Sequence, residues 1–405
     1  MWADGDDIRW VPVGDVGEVR MGKQLSPASR AAAGQMPYLR VANVHDGYIT
    51  YRDVKAMGFT SAEREIYGLI PGDILLNEGQ SLELVGRSAI YTRGVGEFCF
   101  QNTLVRFRSG PGVLPQYAQA VFRRWLATGV FASIAKKTTS IAHLGGDRFA
   151  RLLFPLLSLE QQRRIVEAID AVTERVEVER ETLAKEMLLW EGLLNHELFS
   201  HVQEYGTEPL RDVCLSGGAY GSNAAAVPSD LTMPRYVRIT DIDDHGCLAT
   251  DATSTVSIPW ESARPHLLAD GDLLIARTGF TTGKSYLYRS SDGICAYAGY
   301  LVRFQVNPER MLPEYAFLWT RGNGFLSWVS QNVREVGQRN ISAREYNEHE
   351  IAVPPLEQQR KLVNAWHAAR ESHSLRQLGV ERLRTLRQAV SDDLLSGKVR
   401  VQGMA

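Results

Sequence analysis

The residues of this 405-residue chain whose spacing most resembles a chemical site are Gly279-Phe280-Thr281-Thr282-Gly283-Lys284-Ser285. A glycine-rich turn ending in Lys-Ser after a strand can cradle nucleotide phosphates with its backbone N–H groups. Here the glycines enclose three residues where such a loop needs four. Ser285-Tyr286-Leu287-Tyr288 also reads as strand where a helix should begin. The stretch is therefore expected to be a hairpin with exposed Thr and Lys. Asp53-Val54-Lys55 has the form of a nuclease fragment but lacks any supporting acid pattern. The nine histidines are scattered, and His143 and His266 read as structural or solvated. The four cysteines (Cys99, Cys214, Cys247, Cys295) lie far apart without metal-ligand spacing, which fits free thiols. No dinucleotide fingerprint and no nucleophile elbow is present.

The remaining polar residues are an inventory for duplex DNA. Arg outnumbers Lys 37 to 8, and Arg pairs bidentately with guanine in the major groove. Lys136-Lys137-Thr138-Thr139-Ser140 lies opposite Arg334 with Gln338-Arg339-Asn340 when the chain is aligned on itself. Lys23-Gln24 likewise lies opposite Tyr220 with Ser222-Asn223. Side chains of these types at loop tips serve phosphate and base-edge contacts.

The alignment rests on a duplication. Leu159-Glu160-Gln161-Gln162 returns as Leu356-Glu357-Gln358-Gln359. Tyr38-Leu39-Arg40-Val41 answers Tyr236-Val237-Arg238-Ile239, and Gly72-Asp73-Ile74 answers Gly271-Asp272-Leu273. Leu104-Val105-Arg106-Phe107 recurs unchanged at 301–304, and Leu114-Pro115 recurs as Leu312-Pro313. Every offset lies between 197 and 199. Within each copy many short strands with one or two helices predict an α+β, strand-rich domain. Tyr38 to Val44 and Ile74 to Leu76 are read as strands, and Tyr117 to Leu126 as a helix.

A long helix follows each copy. Ser158 and Gln161 have capping-box spacing. Ile165, Ile169, Val172 and Val176 then form a coiled-coil seam that slips near Glu179 and resumes as Leu183, Met187, Trp190 and Leu194. The second helix keeps a looser seam and is expected to stop at Ser396-Gly397-Lys398. Helices of roughly 37 residues would span about 55 Å. Residues 1–155 carry 18 basic and 14 acidic side chains, and residues 156–200 carry 5 and 10. Residues 201–355 carry 13 and 18, and residues 356–405 carry 9 and 5. Net charges of +4, -5, -5 and +4 sum to the chain's -2. The oppositely charged helices are expected to pair with each other, antiparallel and with approximate two-fold symmetry.

With its Pro-x-x-x-Leu-Glu-Gln-Gln entry at Pro155 to Gln162 and the tighter Pro354-Pro355-Leu356-Glu357-Gln358-Gln359, the chain resembles the specificity subunit of a type I restriction–modification system. Gly271-Asp272-Leu273-Leu274-Ile275 running to Thr278-Gly279, and the ending Leu394 to Val401, carry the same resemblance. The first copy has Asn77-Glu78-Gly79-Gln80 where the family's usual Arg/Thr-Gly run stands, as a different half-site would require.

The resemblance implies target-recognition domains at 1–155 and 201–355, and spacer helices at 156–200 and 356–405 that form an antiparallel coiled coil. Each domain would read one half of a bipartite target. The helices would fix the gap and dock two methyltransferase subunits. Restriction/translocase subunits would complete the complex, and S-adenosylmethionine, ATP and Mg would serve those partners and not this chain. The expected DNA contacts are Lys23, Gln24, Arg40, Gln80, Arg87, Lys136, Lys137, Thr138 and Thr139 in the first copy. In the second they are Tyr220, Ser222, Asn223, Arg238, Arg277, Thr281, Thr282, Lys284, Arg334, Gln338, Arg339 and Asn340. Neighbouring readings are the recognition subunit of a type IIB-like assembly and a two-headed scaffold without a DNA role. No apolar run has membrane-spanning length and the start lacks a leader pattern, so a cytoplasmic protein is expected. The purified chain should hydrolyse no ATP; turnover abolished by Lys284→Ala would contradict this reading.

Overall fold

A computed structural model describes residues 8–138, 141–248, 255–333 and 340–396. The chain forms two compact units, Met1–Glu179 with Gly379–Ala405, and Arg180–Leu378. The division cuts both long helices, Leu159–Tyr205 and Leu356–Ser396. Each unit thus holds one globular copy, the start of one long helix or its continuation, and the matching part of the other. The first helix runs past residue 200 to Tyr205, where Gly206 at φ 72° ends it. This left-handed conformation is the usual glycine-dependent helix stop. Gly397 and Lys398, the expected stop of the second helix, lie outside the described residues.

The duplication is a duplication of topology. In the first unit Gly17–Met21, Leu104–Ser109, Ile74–Asn77 and Ser88–Ile90 form an antiparallel sheet in that order. In the second, Ala219–Tyr220, Leu301–Gln305, Asp272–Ala276 and Ser285–Leu287 repeat the order and the directions. Strands at the centre of a sheet covered on both faces read as continuous apolar runs, which accounts for Ile74-Leu75-Leu76. Ile74 and Leu76 face the helical core, while Leu75 enters a second cluster with Leu39, Tyr91 and Phe100. Leu273 and Ile275 against Leu274 and Ala276 divide in the same way.

A second small sheet in each unit pairs Gln35–Leu39 in parallel with Cys99–Phe100, and Arg235–Val237 in parallel with Cys295–Tyr297. The strand read over Tyr38 to Val44 ends at Leu39 and gives way to a turn at Val41–Asn43. Asn43 is buried, accepts from the Arg40 N–H (3.1 Å) and donates to Thr50 and Arg52 carbonyls, so local side-chain bonding replaces the ladder. The helix read over Tyr117 to Leu126 spans Pro115–Ala127. Entry and exit strands of each copy pair antiparallel: Arg9–Pro12 with Leu153–Leu156, and Thr207–Pro209 with Glu350–Ala352.

The long helices pack together inside each unit. In the first, Ile165, Leu394 and Leu395 join the core that holds Phe107, Phe122, Phe149 and Phe154. In the second, Leu194, Leu198, Leu362, Val363 and Trp366 share one core, and Arg376 pairs with Glu186 at 3.0 Å. The start of each helix lies with the end of the other, so the helices run antiparallel as expected.

One feature of the repeated helix entry explains why its second glutamine recurs. Gln162 is fully buried; its carbonyl accepts from the Leu114 N–H (2.8 Å), and its amide donates to Gly112 and Leu157 carbonyls (both 2.9 Å). Gln359, also fully buried, accepts from the Leu312 N–H (2.7 Å) and donates to Arg310 (3.1 Å) and Pro354 (2.8 Å) carbonyls. Gln carries a donor and an acceptor on one rigid group, which Glu and Leu do not. Gln359→Leu leaves three backbone groups without this partner, the buried Pro354 carbonyl and the part-buried Leu312 N–H and Arg310 carbonyl. At about 1–3 kcal/mol for each orphaned group, and with partial relaxation, it should destabilise the second unit by about 2–5 kcal/mol. Urea unfolding of the full chain followed by tryptophan fluorescence checks this; a change below about 0.5 kcal/mol would show that the clasp is dispensable.

Candidate nucleic-acid interface

Ten of the expected contacts gather into three groups. In the first unit a three-stranded sheet joins Lys136–Lys137, Ala142–His143 and Gly79–Gln80, in that order. It brings Gln80, Lys136, Lys137 and Thr138 together, with both lysines exposed. The Thr138 hydroxyl donates to the Ile141 carbonyl (3.0 Å). Two residues not foreseen as contacts lie here, His143 in the sheet and Glu78 just before its Gly79–Gln80 strand. Glu78 Oε2 is 3.0 Å from His143 Nδ1, and His143 stands opposite Lys136.

In the second unit Tyr220, Arg277 and Asn340 assemble. The Arg277 guanidinium lies 4.5 Å above the Tyr220 ring, and its Nε–H donates to Asn340 Oδ1 (3.1 Å). The Tyr220 hydroxyl accepts from the Ala343 N–H (2.9 Å), which fixes the ring beneath the cation. A third group, Ser222, Asn223 and Arg238, lines an open cavity of about 610 Å³ with Tyr300. Ser222 itself is buried, with Oγ accepting from the Ala224 N–H (3.1 Å), whereas Asn223 is exposed.

Several cations are held by local acids. Lys23 donates to Glu63 (2.7 Å) and to the Gly58 carbonyl (2.8 Å) and lies over the Phe59 ring. That hydrogen bond lowers the pKa of the Glu63 carboxyl. Arg40 pairs with Asp53 (2.6 Å), and Arg238 donates to Asp241 through Nε (3.1 Å) and a terminal nitrogen (2.8 Å). The Asp241 bonds raise the Arg238 pKa. Lys284 pairs with Asp244 (2.6 Å) and lowers that carboxyl's pKa. Gln24 is exposed and Arg87 half-buried. Thr139, Arg334, Gln338 and Arg339 lie outside the described residues.

The glycine-rich stretch is a hairpin, as expected, but its Thr281, Thr282 and Lys284 are half-buried and hydrogen-bonded, not exposed. Asp272–Ala276 and Ser285–Leu287 pair antiparallel, joined through a short turn at Gly279–Thr281. The Thr281 and Thr282 hydroxyls donate to the Thr278 (3.1 Å) and Gly279 (2.8 Å) carbonyls. Gly283 has φ 89°, and a Cβ there would sit 2.9 Å from the Val329 side chain. Its counterpart Gly86, at φ 85°, is closed in the same way by Phe131. The glycine therefore serves helix packing in both copies. Phe280 is 96% exposed at the turn. Among the described residues no cluster of metal-ligating side chains occurs and no helix is long and apolar enough to cross a membrane.

The paired long helices with one mixed copy in each unit give the chain the fold of type I restriction–modification specificity subunits. No family model matches the chain. A curated relative from Methanocaldococcus jannaschii, named as a type I restriction enzyme MjaX specificity subunit, is 21% identical over 400 residues, covering 90% of this chain and 88% of the relative. A chain from a structure of a type I restriction–modification system aligns with TM-score 0.67 at 16% identity, covering 98% of this chain and 100% of that one. The HsdS subunit of Thermoanaerobacter tengcongensis aligns with TM-score 0.52 at 17% identity, over 96% and 97% of the two chains. The resemblance carried by the helix-entry words is thus upheld by both sequence and fold.

Proposed function

We propose that this chain is the DNA-specificity subunit of a type I restriction–modification complex. Residues 1–155 and 201–355 are its target-recognition domains, each reading one half of a bipartite duplex site. The segments 156–200 and 356–405 fix the gap and dock two methyltransferase subunits, with restriction/translocase subunits joining them. The chain itself is non-catalytic and works in the cytoplasm. The observation that supports this best is one frame folded twice with different side chains at matching positions. Glu78 and His143 stand in the first copy where Arg277 and Asn340 stand in the second. Identical copies would read a symmetric site; unlike copies read unlike halves.

Exposed lysines such as Lys136 and Lys137 suit phosphate, which holds register without specifying sequence. The Arg277–Asn340 pair on Tyr220 suits base edges, because a stacked and hydrogen-bonded guanidinium is already oriented.

The experiment is a change of helix length. Four residues inserted after Ala184 and four at the level of Arg376, which faces Glu186, lengthen both helices by about 6 Å. At about 3.4 Å per base pair, the unspecified gap should grow by one or two base pairs while both half-sites persist. Methylation mapping in cells carrying each variant measures this. An unchanged gap with an active double insertion would exclude the helices as the spacer.

A further inference from the structure

The two copies differ most pointedly at one pair of backbone positions. In the first unit the Leu144 N–H donates to the Glu78 carbonyl (2.8 Å), and in the second the Ile341 N–H donates to the Arg277 carbonyl (2.9 Å). Gly79 bridges His143, and Thr278 bridges Asn340. Glu78 with His143 and Arg277 with Asn340 are therefore the same two places in the frame. Each pair is joined side chain to side chain, at 3.0 Å and 3.1 Å respectively.

The pairs present opposite hydrogen-bonding character. A carboxylate at Glu78 can only accept, so the Nδ1–H tautomer of His143 fits this contact, and that tautomer presents Nε2 as an acceptor. The His143 side chain is 42% exposed and that of Glu78 14%, so the ring stands forward with the carboxylate behind it. In the second unit Arg277 Nε–H occupies Asn340 Oδ1. What remains on offer there is mostly donors, the guanidinium's terminal N–H groups and the Asn340 amide N–H groups, beside one further lone pair on Asn340 Oδ1. The Tyr220 ring, fixed by its hydroxyl, sets the guanidinium plane.

We propose that this position makes the two half-sites unlike. His143, with Glu78 as its positioning residue, accepts from an exocyclic base amino group, while Arg277 with Asn340 donates to the acceptor edge of guanine. The amino group belongs to cytosine N4 or adenine N6, and guanine presents O6 and N7 in the major groove. This rests on the reading of the chain as a DNA-specificity subunit. Glu78 and His143 thereby gain a role that no recurring word in the sequence marks.

The test exchanges the pairs in the full chain assembled with its methyltransferase subunits, read by methylation mapping and by competition binding from a randomised duplex pool. Glu78→Arg with His143→Asn should turn one position of the first half-site from cytosine or adenine to guanine, with the other half unchanged. Arg277→Glu with Asn340→His should do the converse in the second half-site. The wild-type base at the first position tells cytosine from adenine. The milder His143→Ala should reduce preference at that position alone by roughly 5- to 150-fold, and it decides the matter if an exchanged chain fails to assemble. Variants that still methylate a bipartite site with every wild-type base retained overturn the inference and leave the specificity-subunit reading intact. A wild-type complex with no sequence preference overturns both.

Discussion

Each copy is tied to its long helix through one buried amide. Gln162 and Gln359 reach back from the first helical turn to close the turn before the short helix at Pro115 or Pro313, and to hold the carbonyl just ahead of their own helix. Buried backbone groups without partners are costly, so this one side chain fixes three segments at once. That junction sets where the long helix leaves the exit strand, Leu153–Leu156 or Glu350–Ala352, of each copy. Its recurrence at the same place in both copies is the physical content of the repeated Leu-Glu-Gln-Gln word.

Much of the frame was legible in the sequence, because periodicity and repetition report it directly. The two long helices, the Ser158–Gln161 capping box, the apolar run at Ile74 to Leu76 and the hairpin at Gly279 to Ser285 follow from spacing alone. The role of Gln162 did not, because spacing marks a helix turn without saying which distant carbonyls it meets. Arg106 and Arg303 were equally opaque. Their repeated word reads as a strand, yet Arg106 is buried against Glu18 and the Ile66 carbonyl, and Arg303, half-buried, donates to the Leu267 carbonyl. Both lie over an aromatic ring at 5.5 Å. These arginines tie the fold together, although composition alone would count them toward DNA contact.

The candidate interface was legible as an inventory but not as an arrangement. Lys23, Arg40, Arg238 and Lys284 are each paired to a nearby acid that the linear sequence does not mark as a partner. The exposed Lys136 and Lys137, by contrast, stand on a small sheet whose other members were read only in part. A surplus of positive charge in residues 1–155 thus resolves into a few presented cations and several structural ion pairs. What distinguishes the copies at this place is the side chains mounted on a similar frame.

The proposed reading of two unlike half-sites by one chain is tested most directly by the genome-wide methylation pattern of the host with this gene present and with it deleted. A motif of two short, different half-sites separated by a constant run of unspecified base pairs is expected with the gene and absent without it. A contiguous or palindromic motif that depends on the gene, or a pattern unchanged by its deletion, would contradict it.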